Sequence, residues 1–190
     1  SHRGDLVIAD IGIPDAVLSG IGPTTFANTP ALWIHRLALP SKAGHKFDRG
    51  HAVVFSGPAS RTGAARMAAM AALRGGAGLV TVFSPAGAIL VNAAHLTAVM
   101  LQRCEDEAEL RAHLEDERLN AFMLGPGFGA TDLARTYAKT LLAAGRRLVL
   151  DADAITAFQE EPEALFAAAS EAAATRPDKQ PALVLTPHAG

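Results

Sequence analysis

The chain has 190 residues, 49% of them hydrophobic and 19% charged, with a formal net charge of −2 from 17 basic and 19 acidic side chains. That is enough apolar sequence for a packed core of one ordinary domain and too much for wholesale disorder. With no basic block, the composition argues against a nucleic-acid surface.

The single cysteine, Cys104, excludes an internal disulfide and a multi-cysteine metal site. No apolar run approaches the roughly 20 residues of a membrane span, and the first ten residues, SHRGDLVIAD, lack the charged and apolar regions of a secretory signal. A cytoplasmic protein that binds neither membrane nor nucleic acid is expected.

Taken in chain order, the first segment, GDLVIADIGIP, reads as a strand ending at Pro14. SGIGPTTFANTP follows with the Gly, Pro, Thr and Asn of a loop or linker. A lone strand makes no domain, so this one either joins the later sheet or closes a preceding unit. From residue 48 onward two kinds of segment alternate. Short apolar runs at 52–56, 78–83, 96–101, 119–124, 147–151 and 182–186 are nearly continuous in apolar character, as strands buried on both faces are. Helical patterns fill the intervals at 62–75, 86–94, 105–117, 130–144 and 153–175, the last with a break at Pro162. This alternation predicts an α/β fold, a mainly parallel sheet with helices on both faces.

The unusual residues cluster at the carboxyl ends of the predicted strands: SGPASRTG after the first, GPGFG (125–129) after the fourth, DADA (151–154) closing the fifth and TPHAG (186–190) closing the sixth. In open parallel sheets ligands bind along that edge. SGPASRTG has the spacing of a phosphate-binding loop, but Ala64 and Ala65 stand where such a loop carries Lys and Ser or Thr, so a Walker-type site is rejected. What remains is either a plain turn or a small-residue loop that lets a ligand approach a helix N-terminus, with Ala64 beside it. Three glycines in five residues, Gly125, Gly127 and Gly129, imply either a flexible turn or the close passage of a ligand or another backbone. Asp153 could cap the helix that follows it, and Asp151 and Asp153 could equally order water or Mg²⁺ near a phosphate. His188, placed by Pro187, is either a solvated histidine or a group that touches the ligand. No histidine pair has metal-ligand spacing. The helix TGAARMAAMAALRGGAG reads first as a close-packing core helix; alanine-rich helices also favour assembly, and a homo-oligomer is expected.

In order along the chain, HKFDRGHAVVFSG, TGAARMAAMAALRGGAGLVTV, GPGFG, LDADAI and TPHAG resemble the NAD(P)H-hydrate dehydratase family of ribokinase-like repair enzymes. The resemblance covers about residues 40–190. GDLVIADIGIP is similar to the last strand of the NAD(P)H-hydrate epimerase domain that precedes the dehydratase in bifunctional proteins. The resemblance implies an epimerase-like end at 1–18, a linker at 19–39 and the N-terminal portion of a dehydratase at 40–190. The activity it implies is repair of NADHX or NADPHX. ADP or ATP, with Mg²⁺, phosphorylates the hydroxyl that hydration left on the nicotinamide ring, and loss of phosphate restores the reduced ring. Carried over by motif, Ala64, Gly125, Gly127, Gly129 and His188 contact the hydrated dinucleotide, with Asp151 and Asp153 as further candidates. The family's Gly-x-Gly-Asp segment, which supplies the catalytic base, would fall after Gly190. No catalytic residue is therefore assigned within the chain, and little or no turnover is expected of it alone. Two other functions remain open on the residues: a vitamin-precursor kinase of the same architecture, and a non-catalytic module for nucleotide binding or assembly.

Overall fold

The computed structural model describes residues 4–5, 7–37, 44–176 and 181–188. The chain forms two compact units, Ser1–Pro40 and Ser41–Gly190.

In the first unit the expected strand is not formed among the described residues. Val7, Ile8 and Ile11 are 85%, 86% and 82% exposed, and residues 7–14 are unpaired. Alternating apolar residues make a strand only when a neighbour accepts their backbone bonds, and none of the described residues does so here. Instead the Asp10 carboxylate accepts a hydrogen bond from the Gly12 N–H at 2.8 Å, and Gly12 sits at φ +78°, a local turn of the kind Asp and Gly favour. The segment expected to be a linker holds helices α1 (Asp15–Ile21) and α2 (Pro30–Trp33). Gly22 closes α1 in the left-handed conformation, its N–H bonded to the Leu18 carbonyl.

The second unit matches the strand–helix alternation. Six strands, β1 (His51–Phe55), β2 (Leu79–Ser84), β3 (Met100–Arg103), β4 (Leu119–Leu124), β5 (Arg147–Asp151) and β6 (Leu183–Thr186), form one sheet in the order β3-β2-β1-β4-β5-β6. Every pairing is parallel. The connecting helices are α3 (Gly63–Gly75), α4 (Ile89–His95), α5 (Glu107–Leu114), α6 (Asp132–Ala143), α7 (Asp153–Thr156) and α8 (Pro162–Ala174). The break foreseen at Pro162 separates α7 from α8, and Pro162 occupies the first turn of α8, where a missing N–H costs nothing.

Successive strand residues point to opposite faces, and two cores result. Val53, Phe55, Phe83, Phe122, Leu124, Leu148 and Leu150 pack with Leu110 of α5, Tyr137 and Leu141 of α6 and Leu165 of α8. Val54, Val80 and Val82 pack with Ala65 and Ala69 of α3. The alanines let α3 lie close to the sheet. Gly76, at φ +112°, ends that helix by returning its N–H to Leu73.

The strand order sets the place of any site. From β1 the chain steps outward through β2 to β3, then returns to lay β4 on the other side of β1 and steps outward again through β5 to β6. Loops leaving β1 and β4 diverge to opposite faces, and the crevice between them is where such sheets bind ligands.

Candidate active site

The four glycine and acid clusters all lie on the carboxyl edge, and those after β1, β4 and β5 interlock through backbone. A methyl group on Gly57 would stand 1.8 Å from the Gly127 carbonyl oxygen; one on Gly125 would stand 1.8 Å from the Asp151 carbonyl oxygen; one on Gly127 would stand 2.7 Å from the Arg61 carbonyl oxygen. Gly125, Gly127 and Gly129 also have φ of +139°, +71° and +103°, a region side chains rarely enter. What passes close to Gly125 and Gly57 is therefore the neighbouring chain itself. The loop after β1 and the loop after β4 meet at the crevice with no side chain between them.

Asp153 does not cap α7. That position belongs to Ala152, and the Asp153 carboxylate accepts the Gly129 N–H at 2.9 Å, tying the GPGFG loop to β5's end. Between the two acids Ala152 adopts φ 44°, ψ −118°, a conformation that costs a non-glycine residue about 1–3 kcal/mol. Asp151 is paired in register with Thr186 of β6. Its Oδ1 lies 3.8 Å from Nε2 of His188, a side chain 82% exposed against 19% for Asp151. Ala189 and Gly190, the last residues of TPHAG, lie outside the described residues. Ala64, half-buried, is the second residue of α3. It keeps the helix's first turn free of bulk.

Two features of this edge were not foreseen in the sequence. One is a fully buried amide: Asn92 of α4 donates through Nδ2 to the hydroxyls of Ser56 and Ser84, both at 3.0 Å. It thereby joins the ends of β1 and β2. Its partners lie 36 and 8 residues away, so no local signal marks them. The other is a cleft of about 330 Å³ lined by Gly57, Pro58, Pro85, Cys104, Phe128 and Leu133, among others. Its walls come from four separate segments of the chain.

Cys104 is buried with Sγ 3.5 Å from the Tyr137 hydroxyl. Burial pushes its thiol up to about 11, although the Tyr137 hydrogen bond opposes the shift. It is a protonated thiol at neutral pH and not a nucleophile. Among the described residues no three His, Cys, Asp or Glu side chains gather as metal ligands, and Asp153 is committed to Gly129. No step is assigned through a protein-held metal ion.

The bifunctional NAD(P)H-hydrate repair enzyme of Moorella thermoacetica is 32% identical over 199 residues, covering 100% of this chain and 36% of that protein. The ADP-dependent (S)-NAD(P)H-hydrate dehydratase of Streptococcus pneumoniae is 30% identical over 151 residues, covering 78% and 47%. A ribokinase-like superfamily protein from Enterococcus faecalis superposes with a TM-score of 0.55 at 25% identity, over 66% of this chain and 45% of that one. The chain thus spans between a third and a half of the length of these curated relatives. The profile of NAD(P)H-hydrate dehydratases matches residues 52–190, the whole six-stranded sheet but for its first residue, and the chain belongs to that family.

Proposed function

We propose that this chain carries the substrate-holding part of an NAD(P)H-hydrate dehydratase, binding NADHX or NADPHX along the carboxyl edge. The observation that supports this reading is the meeting of the β1 and β4 loops at the crevice, backbone against backbone, with His188 and Asp151 on the adjoining strands. In this reading Ala64, Gly125, Gly127, Gly129 and His188 contact the dinucleotide. Its diphosphate takes the N-terminus of α3, where free N–H groups and the helix dipole favour an anion and Ala64 leaves room. The hydrated ring takes the apolar cleft beside Gly57. Asp153 acts on the GPGFG loop through Gly129, and Asp151 orients the His188 imidazole.

Hydroxide is a poor leaving group and phosphate a good one. ADP, as in the name of the Streptococcus pneumoniae relative, or ATP would supply the phosphoryl group, with Mg²⁺ carried on its phosphates. The chain's own part is positioning, the larger share of what phosphoryl transfer asks of a protein. A thiol that stays protonated beside the ring does not compete for it. No described helix is long and apolar enough to cross a membrane. A cytoplasmic site of action and assembly into a homo-oligomer through the alanine-rich helices belong to the same proposal.

Calorimetric titration of the chain with NADHX and with NADPHX tests it. Saturable binding is expected, weakened about tenfold, about 1.4 kcal/mol, by His188→Ala, whose exposed side chain contributes little to folding. Absence of binding, or an unchanged affinity in His188→Ala, would sink the reading. If binding is found, incubation with ADP separates the dehydratase from a kinase of like architecture. Recovery of reduced-nicotinamide absorbance marks the first, a stable phosphomonoester the second.

A further inference from the structure

We propose that a second cleft, at the amino end of the sheet, binds a small oxyanion ligand, a phosphate ester or a dicarboxylate. His51, Leu79 and Leu119 open β1, β2 and β4 and lie side by side in register. All three line a cleft of about 390 Å³, within the range that holds small molecules and a full strand length from Gly57 and Gly127.

The lining is polar and its groups are held in place. At its floor His51 and Thr81, 8% and 1% exposed, are joined by Nε2 and Oγ1 at 2.7 Å. At its mouth the Arg118 guanidinium binds both oxygens of Asp116, through Nε at 2.8 Å and Nη2 at 2.7 Å. It lies 5.2 Å from the centre of the Phe47 ring. Those bonds leave Nη1 without a hydrogen-bond partner among the described residues. Lys46 places its ammonium 5.5 Å from the same ring. On the far wall His113 is fixed by a 2.8 Å hydrogen bond between Nε2 and the Arg103 carbonyl, its ring against Phe83 at 4.4 Å.

Charge selects the ligand. The cleft holds two fixed cations, Lys46 and Arg118, and one carboxylate, Asp116, already spent on Arg118. Its charge is net positive, which disfavours a cation. An apolar ligand would desolvate Lys46 and Arg118 without giving either a partner, which is costly. An oxyanion meets an ammonium and a guanidinium Nη1 that have no hydrogen-bond partner among the described residues, the arrangement in which charge-assisted hydrogen bonds form.

The test is titration of the ¹⁵N-labelled full chain with inorganic phosphate and, separately, with succinate, followed by backbone amide shifts. Saturable shifts at Phe47, His51, Gln102 and His113 are expected. Lys46→Gln and Arg118→Gln, both exposed positions, should each raise the dissociation constant about tenfold. The tighter of the two probes identifies the ligand as phosphate ester or dicarboxylate. Shifts that do not saturate, shifts confined to Gly127–Gly129, or a dissociation constant unchanged in both variants would overturn the proposal. The outcome is independent of whether the carboxyl edge binds NADHX.

Discussion

The two ends of the sheet are built from different materials. At the carboxyl end the shape is set by main chain lying on main chain: Gly57 on Gly127, Gly125 on Asp151, Gly127 on Arg61. At the amino end it is set by side chains, His51 reaching across to Thr81 and Arg118 across to Phe47 while held locally by Asp116. The first kind of surface has almost no freedom to adapt, because an added methyl has nowhere to go. The second can exchange one side chain for another and keep its outline. In the proposed function the first suits a rim that holds a large dinucleotide in one pose, and in the proposed second site the other suits a cleft for a small ion.

The sharpest way to break this contrast is to add one carbon at the carboxyl end. Gly57→Ala puts a methyl 1.8 Å from a backbone oxygen and should destabilise the chain by about 3 kcal/mol, lowering Tm by about 6–12 °C. Gly75→Ala, which meets nothing within 4 Å, should leave Tm level or slightly raised. Equal melting curves for the two would show that the rim's backbone yields. Next in size, Asp153→Ala removes the acceptor of the Gly129 N–H and should cost about 1–3 kcal/mol, while Asp153→Asn, which keeps an acceptor oxygen, should recover most of it. Urea denaturation read by circular dichroism decides between a lost hydrogen bond and a lost charge.

The smallest effect lies at the amino end and depends on pH. Burial lowers the His51 pKa from its ordinary 6.5, nearby Asp116 raising it in opposition and Arg118 adding to the lowering. The unfolded chain therefore takes up a proton at a higher pH than the folded one. Stability is full above about pH 6.5 and falls as pH drops from there toward the folded-state value. The urea midpoint should fall between pH 7.5 and 5.5, and His51→Gln should flatten that slope. A slope that survives the substitution would place the titration elsewhere.

The same contrast explains what could be read from the chain in advance. Glycines that backbone contact demands announce themselves in sequence, and the ends of β1 and β4 were marked by them, as the end of β5 was by its acids. The strands β4 and β5 were legible to the residue because buried parallel strands write continuous apolar runs. The run at 96–101 misled by four residues: Leu96 closes α4 by bonding its N–H to the Asn92 carbonyl, and pairing with β2 begins only at Met100. Side-chain architecture left no trace. The Asn92 bridge and the amino-end cleft join residues far apart in the chain, Asn92 with Ser56 and Arg118 with Phe47, and nothing local distinguishes them from solvated polar groups. The strand expected before Pro14 failed for the opposite reason. Its local pattern is present, and no partner strand lies among the described residues.

Ala152 carries a consequence for how the rim moves. A residue at φ 44° and ψ −118° is wound like a spring, and it stays wound only while both neighbours are fastened, Asp151 into β5 and Asp153 to Gly129. Unfasten Asp153 and the turn unwinds, returning part of the 1–3 kcal/mol it stored. The measured cost of losing that hydrogen bond will then understate its strength. Refastening the GPGFG loop through Gly129 means winding Ala152 again, so the stored strain favours the released state by the same amount. The rim thus has a latch, and its release should expose the Gly129 amide to exchange with solvent.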